Sequence, residues 1–156
     1  MTTTQAHVSR LKAAVPQFHV PDVVHTAEYY RDVLGFTISS YWDGRRASHE
    51  AIPPPVFGIV SRDDVQVFFT RTSRSEHQPA HEDGGYDAFF SVVGVDALAA
   101  ELRDRGAEII DGPEDRPYHQ REVVVRDCNG LILAFGEDIG RIWSVSHLRE
   151  GGETDD

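Results

Sequence analysis

The stretch FHVPDVVHTAEYYRDVLGF, residues 18–36, decides the fold. It opens with apolar and polar residues in alternation, Phe18 to Val20, which is the pattern of a strand. A helical stretch then runs to Leu34, and Gly35 follows where a helix commonly ends in the left-handed conformation. The stretch therefore predicts a strand that leads directly into a short helix.

The same pattern recurs in the second half of the chain as FSVVGVDALAAELRDRGA, residues 90–107. An offset of 72 residues superposes four pairs: Phe18 on Phe90, Val20 on Val92, Val23 on Val95, and Ala27 on Ala99. After a one-residue deletion, Gly35 meets Gly106. Ordered matches of this kind indicate an internal repeat.

The later part of each half repeats as well. Residues 60–63 match residues 124–127, and residues 65–69 match residues 131–135. Each pair of segments is an apolar or alternating run around a polar turn, which is typical of a hairpin. Each half is thus predicted as strand, helix, strand, strand, strand.

These units predict an α+β fold in which two βαβββ modules form a curved, open barrel with a central cleft. One such unit alone leaves one face of its sheet exposed, whereas two units can bury these faces together. The predicted boundaries are a flexible N-terminal segment at 1–12, modules at 13–71 and 86–137, a linker loop at 72–85, and a tail at 138–156. No glycine-rich or serine-rich linker divides the chain into separate domains.

Composition argues against several classes of function. The chain has 26 acidic and 15 basic residues, for a net charge of −11, which argues against binding to nucleic acid or to anionic lipid. No apolar run is long enough to cross a bilayer, and the N-terminus lacks the apolar region of a signal peptide. With Cys128 as the single cysteine, we expect a soluble cytoplasmic protein without disulfides.

Two motifs resemble a known family. The first is Phe18-x-Val20-x-Asp22 followed by residues 29–36, YYRDVLGF, and the second is residues 121–136, from Arg-Glu-Val to Phe-Gly. They are similar to the glyoxalase/bleomycin resistance/dioxygenase proteins, the vicinal oxygen chelate superfamily, and the second motif resembles its bleomycin-resistance-like branch. The resemblance covers about residues 13–137 and implies the paired βαβββ fold.

The resemblance also implies where a metal would be bound. Its four repeat-related ligand places fall on Val15, Phe68, Asp87 and Ala134 in this sequence. Only Asp87 can donate to a cation, and one carboxylate does not hold a divalent ion. A register shift of two would offer Gln17 and Gln66, which are neutral amides. We therefore expect no metal and no cofactor.

Histidines could still build an unusual site. His77 and His81 stand at helical spacing, but Pro79 between them argues against a helix, and solvated loop residues are expected there. His25 falls at a polar position of the first helix and is expected at the surface. His19 shares strand parity with Gln17 and is predicted to face the cleft, as a ligand contact or as a structural hydrogen-bonding residue.

Strand parity and hairpin register predict the rest of the cleft. Pairing Arg62 with Val65 brings Phe57 to the side of Phe68, and pairing Arg126 with Leu131 brings Arg121 to the side of Ala134. The predicted ligand-binding residues are Val15, Gln17, His19, Phe57, Phe68, Asp87, Phe89, Arg121 and Ala134. Their aromatic rings and few polar groups suit a flat, partly aromatic small molecule.

Two classes of function follow. The first is a metal-free small-molecule-binding protein, as the bleomycin-resistance-like resemblance implies. The alternative is an enzyme of the family, a lyase, isomerase or ring-cleaving dioxygenase, with an atypical site or with His19 and Asp87 as an acid–base pair. We favour the binding protein, and we expect a homodimer because an open barrel leaves strand edges and apolar surface uncovered. A structural module with a filled barrel is a third alternative.

Overall fold

The computed structural model describes residues 8–51, 54–73 and 84–140. Much of the predicted N-terminal segment, linker and tail, together with His77 and His81, lies outside these ranges. The elements in chain order are β1 Gln17–Val20, α1 Val23–Asp32, β2 Thr37–Trp42, β3 Ala47–Ser48, β4 Phe57–Arg62, β5 Val65–Arg71, β6 Ala88–Ser91, α2 Val95–Asp104, β7 Glu108–Asp115, β8 Gln120–Arg126 and β9 Ile132–Asp138.

The strands form two sheets with the same topology. The first has the order β1-β5-β4-β2-β3 and the second the order β6-β9-β8-β7. In each, the first strand pairs in parallel with the last, and the other neighbours are antiparallel. The predicted α+β fold with two βαβββ modules is confirmed. The two-residue strand β3 is an addition to the first module, and the sheets do not close into a barrel.

Helix α1 begins, and both helices end, as their sequences predict. The Asp22 side chain caps α1 by accepting from the His25 backbone N–H at 2.9 Å. Gly106 after α2 has φ +85°, and the N–H of Ala107 bonds to the Leu102 carbonyl, which closes the helix end. Gly35 has φ +75°. The prediction of left-handed glycines after both helices is confirmed.

The two hairpins differ in how well the sequence predicted their register. In the first, Arg62 pairs with Val65 and Ile59 with Phe68, as predicted. In the second, Arg126 pairs with Ile132 rather than with Leu131, so the predicted register was wrong by one residue. The reason is a longer turn, in which the Asp127 backbone N–H bonds to the Leu131 carbonyl at 2.9 Å.

One buried core joins the modules on the helix-bearing sides of the two sheets. It contains apolar residues of both helices and of strands from both sheets. Across the junction, the Tyr30 hydroxyl donates to Asp127 at 2.8 Å, and Arg62 forms a salt bridge with Glu101 at 2.7 Å. Within the described ranges, no helix is long and apolar enough to span a membrane.

Candidate functional site

The strand faces that point away from the helices are the candidate binding surfaces. Phe18 and Phe90 are buried in the shared core, whereas their neighbours Gln17, His19 and Phe89 are exposed. This alternation places the last three residues on the faces opposite the helices, as strand parity predicted. We call these faces the first and second inner face, after their modules.

The first inner face carries an aromatic pair beside a polar edge. The rings of Phe57 and Phe68 meet edge to face, with centroids 5.3 Å apart. The Gln17 side-chain amide donates to the Thr70 hydroxyl at 2.6 Å, and His19 pairs with Thr70 across the parallel strands. The face thus offers two partly buried rings for apolar contact, with an amide, a hydroxyl and an imidazole next to them.

The second inner face has an apolar floor under two aromatic rings. The floor consists of the buried residues Val124, Ile132 and Ala134, and Tyr86 packs against it. The Phe89 ring lies over Gly136, where a Cβ atom would run into it, and its centroid is 6.4 Å from that of Tyr86. Because Phe89 remains 44% exposed, part of its ring is open to a guest.

A buried carboxylate, Glu122, lies on the same face. It is 0% exposed, and its Oε2 accepts from the Tyr86 hydroxyl at 2.8 Å and from the Tyr118 hydroxyl at 2.9 Å. Arg116 donates to the same oxygen at 3.3 Å. Burial is the first cause that raises the pKa of both tyrosines, so both hydroxyls are protonated donors at neutral pH.

Arg116 is surrounded by acidic side chains. Besides Glu122, it contacts Asp111 at 2.6 Å and Glu114 at 3.1 Å. The hydrogen bond with Asp111, and to a smaller extent the one with Glu122, raises the pKa of the guanidinium above its ordinary value. Three carboxylates around one guanidinium leave two formal negative charges at this edge of the second inner face.

Glu122, Tyr86, Tyr118 and Arg116 were missed as site residues by the sequence analysis. The wrong register of the second hairpin placed Arg121 and Val123 on the inner face and therefore turned Glu122 outward. The available signal was weak: Glu122 directly precedes the three valines of β8, residues 123–125. Nothing in the sequence indicates that Arg116 or Tyr86, the latter 36 positions away in the chain, would bind Glu122.

Arg121 is the one predicted site residue that lies on the wrong side of its sheet. Its guanidinium bonds to Asp96 of α2 at 3.0 Å and to Asp115 at 2.9 Å, so it belongs to the helix-bearing face. Ala134 pairs with Val124 rather than with Val123. Both corrections follow from the one-residue shift in the second hairpin, because such a shift exchanges the two faces of a strand.

Val15 and Asp87 lie at the starts of the first strands of the two modules. Val15 precedes β1 and lines a cavity of about 280 Å³ together with Gln66, Phe89 and Ser91. Asp87 accepts from the Ile132 backbone N–H at 2.8 Å, and its own N–H bonds to the Ile132 carbonyl. The Asp87 carboxylate thus binds the backbone at the start of β9, in the second sheet. His19 lies in β1 of the first sheet.

The places that the family resemblance assigns to metal ligands do not supply a donor set. Phe68 and Ala134 have no donor atoms, and neither does Val15. The Asp87 carboxylate is engaged with the β9 backbone. Within residues 8–51, 54–73 and 84–140, no group of three or more histidine, cysteine, aspartate or glutamate side chains is arranged to hold a metal ion. The residues present do not fit the metal that the resemblance implies.

The chain matches a known family over most of its length. The family model described as Glyoxalase/Bleomycin resistance protein/Dioxygenase superfamily matches residues 6–135. The chain belongs to this superfamily. No curated protein matches the chain in sequence. The duplicated modules are therefore a superfamily architecture, and the resemblance drawn from residues 18–36 and 121–136 is confirmed.

Solved structures share this fold at low sequence identity. The bleomycin-binding protein from Streptomyces verticillus, solved with copper(II)-bleomycin, is 22% identical, covers 86% of this chain and 100% of its own, and has a TM-score of 0.57. TnmS3, an antibiotic-binding protein from Streptomyces sp. CB03234, is 19% identical, with coverage of 83% and 99% and a TM-score of 0.58.

A third structure has a different description. The glyoxalase-related enzyme from Clostridium phytofermentans is 19% identical, covers 86% of this chain and 99% of its own, and has a TM-score of 0.64. At these identities the likeness shows the fold alone. Binding proteins and a glyoxalase-related enzyme share this fold, so the fold alone does not determine the function.

Proposed function

We propose that this protein binds a planar aromatic small molecule, without a metal, as a drug-sequestering protein does. The observation that carries the proposal is the exposed Phe89 ring above the apolar floor of the second inner face. The pair Phe57–Phe68 supplies a similar surface on the first inner face. Antibiotic-binding proteins with the same fold support this assignment.

The aromatic surfaces on the two inner faces are large enough for a micromolar dissociation constant. Aromatic contacts that bury about 300 Å² of ligand contribute roughly 7 kcal/mol before costs, at about 25 cal/mol per Å². Association and side-chain ordering remove part of this free energy, so a micromolar dissociation constant is expected. Each well-placed aromatic pair adds about 0.5–1.5 kcal/mol beyond the area buried.

The test is calorimetry with planar antibiotics and with acridine, a three-ring heteroaromatic compound, in the presence and absence of EDTA. We expect micromolar binding that EDTA leaves unchanged, because the described residues of the inner faces supply no donor set for a metal. Binding that disappears with EDTA would contradict the metal-free site. Turnover of a bound compound would instead favour the enzyme alternative with His19 and Asp87 as its candidate acid–base pair.

We also propose that the protein is a homodimer. Apolar and aromatic side chains on or near the inner faces are largely uncovered in one chain: Trp42 is 40% exposed, Phe89 44% and Tyr118 42%. A symmetric partner that faces this surface would deepen the shallow faces into a cleft that still admits a guest. Light scattering at micromolar concentration is expected to give twice 17.4 kDa, and a monomer mass would refute the dimer.

A further inference from the structure

Glu122 carries an acceptor atom without a donor. The residue is 0% exposed, and among the described residues its Oε1 has no hydrogen-bond partner. The contacts from Tyr86, Arg116 and Tyr118 all go to the other oxygen, Oε2. A buried carboxylate oxygen without a donor costs free energy and is rare in native proteins, so it points to a donor group from outside the described residues.

A cavity of about 500 Å³ lies next to this carboxylate. The three side chains that hold Oε2 also line the cavity, together with Val124 and Ile132 of the apolar floor. Tyr118 is 42% exposed and stands in the turn between β7 and β8. Glu122 is covered and does not itself line the cavity, so access of a guest to Oε1 requires that Tyr118, on its exposed turn, moves aside.

The negative charge around the cavity indicates which kind of hydrogen-bond donor suits Glu122 Oε1. Arg116 is shared among Asp111, Glu114 and Glu122, so the cluster has an excess of negative charge. A neutral donor would satisfy the hydrogen bond of Oε1 but leave this charge unbalanced. A protonated nitrogen does both, and a charge-assisted hydrogen bond is stronger than a neutral one.

We infer that Glu122 Oε1 accepts a hydrogen bond from a protonated nitrogen of the guest, which makes the preferred ligand an aromatic cation such as a ring-bearing amine or amidine. The inference rests on the proposed function and specifies its ligand class. The aromatic plane contacts Phe89 and Tyr86, whose centroids are 6.4 Å apart, and the cationic group enters beside Tyr118 toward Glu122.

Two probes with the same ring system but different charge test whether the site prefers a cation. 9-Aminoacridine is a cation at pH 8, whereas acridine is neutral there and has the same three-ring plane. Calorimetry on the full chain is expected to give about tenfold tighter binding of 9-aminoacridine than of acridine, a ratio that one charge-assisted hydrogen bond supplies. If neither probe binds, the proposed function fails. If both bind equally, only the ligand class is overturned.

A matched pair of variants separates direct contact from general electrostatic attraction. Glu122→Gln and Glu114→Gln each remove one negative charge from the partners of Arg116, but only the first alters Oε1. We expect Glu122→Gln to abolish the preference for 9-aminoacridine and Glu114→Gln to retain most of it. Equal losses in the two variants would show that the cation is attracted by charge alone and would overturn the role of Glu122.

The wild-type protein provides a readout that does not depend on the folding of any variant. As the pH falls through the ring-nitrogen pKa of acridine, this probe becomes a cation, and its affinity should rise toward that of 9-aminoacridine. The affinity for 9-aminoacridine, a cation throughout that range, is the internal control for titration of the protein. An acridine affinity that stays flat while the control is constant would contradict the inference.

Discussion

Replacing Asp127 by alanine is expected to lower the free energy of unfolding by about 3–4 kcal/mol, the largest effect on stability that we predict. Asp127 is 4% exposed and accepts from the Tyr30 hydroxyl, from the Asn129 N–H at 2.8 Å and from the Leu131 N–H at 2.9 Å. Alanine would leave all three donors without this acceptor, and each such donor in a buried setting costs about 1–3 kcal/mol.

The Tyr30–Asp127 bond also joins the two modules, since its residues are 97 positions apart in the chain. Urea denaturation followed by circular dichroism measures the effect. Asp127→Asn retains an acceptor for the turn and should cost less than Asp127→Ala. Asp104→Ala, at the exposed end of α2, is the control and should change stability by no more than about 0.5 kcal/mol. Equal stability of Asp127→Ala and the control would refute the prediction.

The largest effect on binding is expected from Phe89→Ala, which should weaken acridine binding about 5- to 30-fold, or about 1–2 kcal/mol. The ring is 44% exposed above Gly136 and is the main open surface of the second inner face. Because it is so exposed and contributes little to the core, its removal should leave the fold intact. Calorimetry with acridine, with the melting temperature measured alongside, separates the two effects.

Two further variants sharpen this test. Gly136→Ala leaves the Phe89 ring in the chain but places a Cβ atom where the ring now lies, so it should also weaken binding. Val93→Ala truncates an equally apolar residue that is 95% exposed and lies outside strand β6, and it should leave the affinity unchanged. Acridine binding that survives both Phe89→Ala and Phe68→Ala would exclude the inner faces as the binding surface.

The inner faces bring together groups that differ in chemistry. The first combines the Phe57–Phe68 pair with Gln17 and His19, and the second combines Phe89 with a buried carboxylate. A guest that contacts both would meet two aromatic surfaces of different polarity. Selectivity would then depend mainly on the polar groups, because aromatic stacking accepts many ring systems while a buried hydrogen-bonding group rejects a guest that leaves it unpaired.

The sequence by itself determined the duplicated architecture. The repeat of residues 18–36 in residues 90–107 predicted both strand–helix units and the left-handed glycines after the helices. The register of the first hairpin was also predicted correctly, from Arg62 to Val65. These features depend on local patterns, because strand alternation, helical spacing and the conformational freedom of glycine act over a few residues.

Only the tertiary structure decided the second inner face. The turn after β8 takes its register from Asp127, whose side chain binds the Leu131 N–H and the hydroxyl of the distant Tyr30. That register turns Glu122 inward and Arg121 toward α2. The local sequence pattern fits either register equally well, yet a one-residue shift exchanges the two faces of a strand. The position of the Glu122 carboxylate is therefore set by long-range contacts that a single sequence does not display.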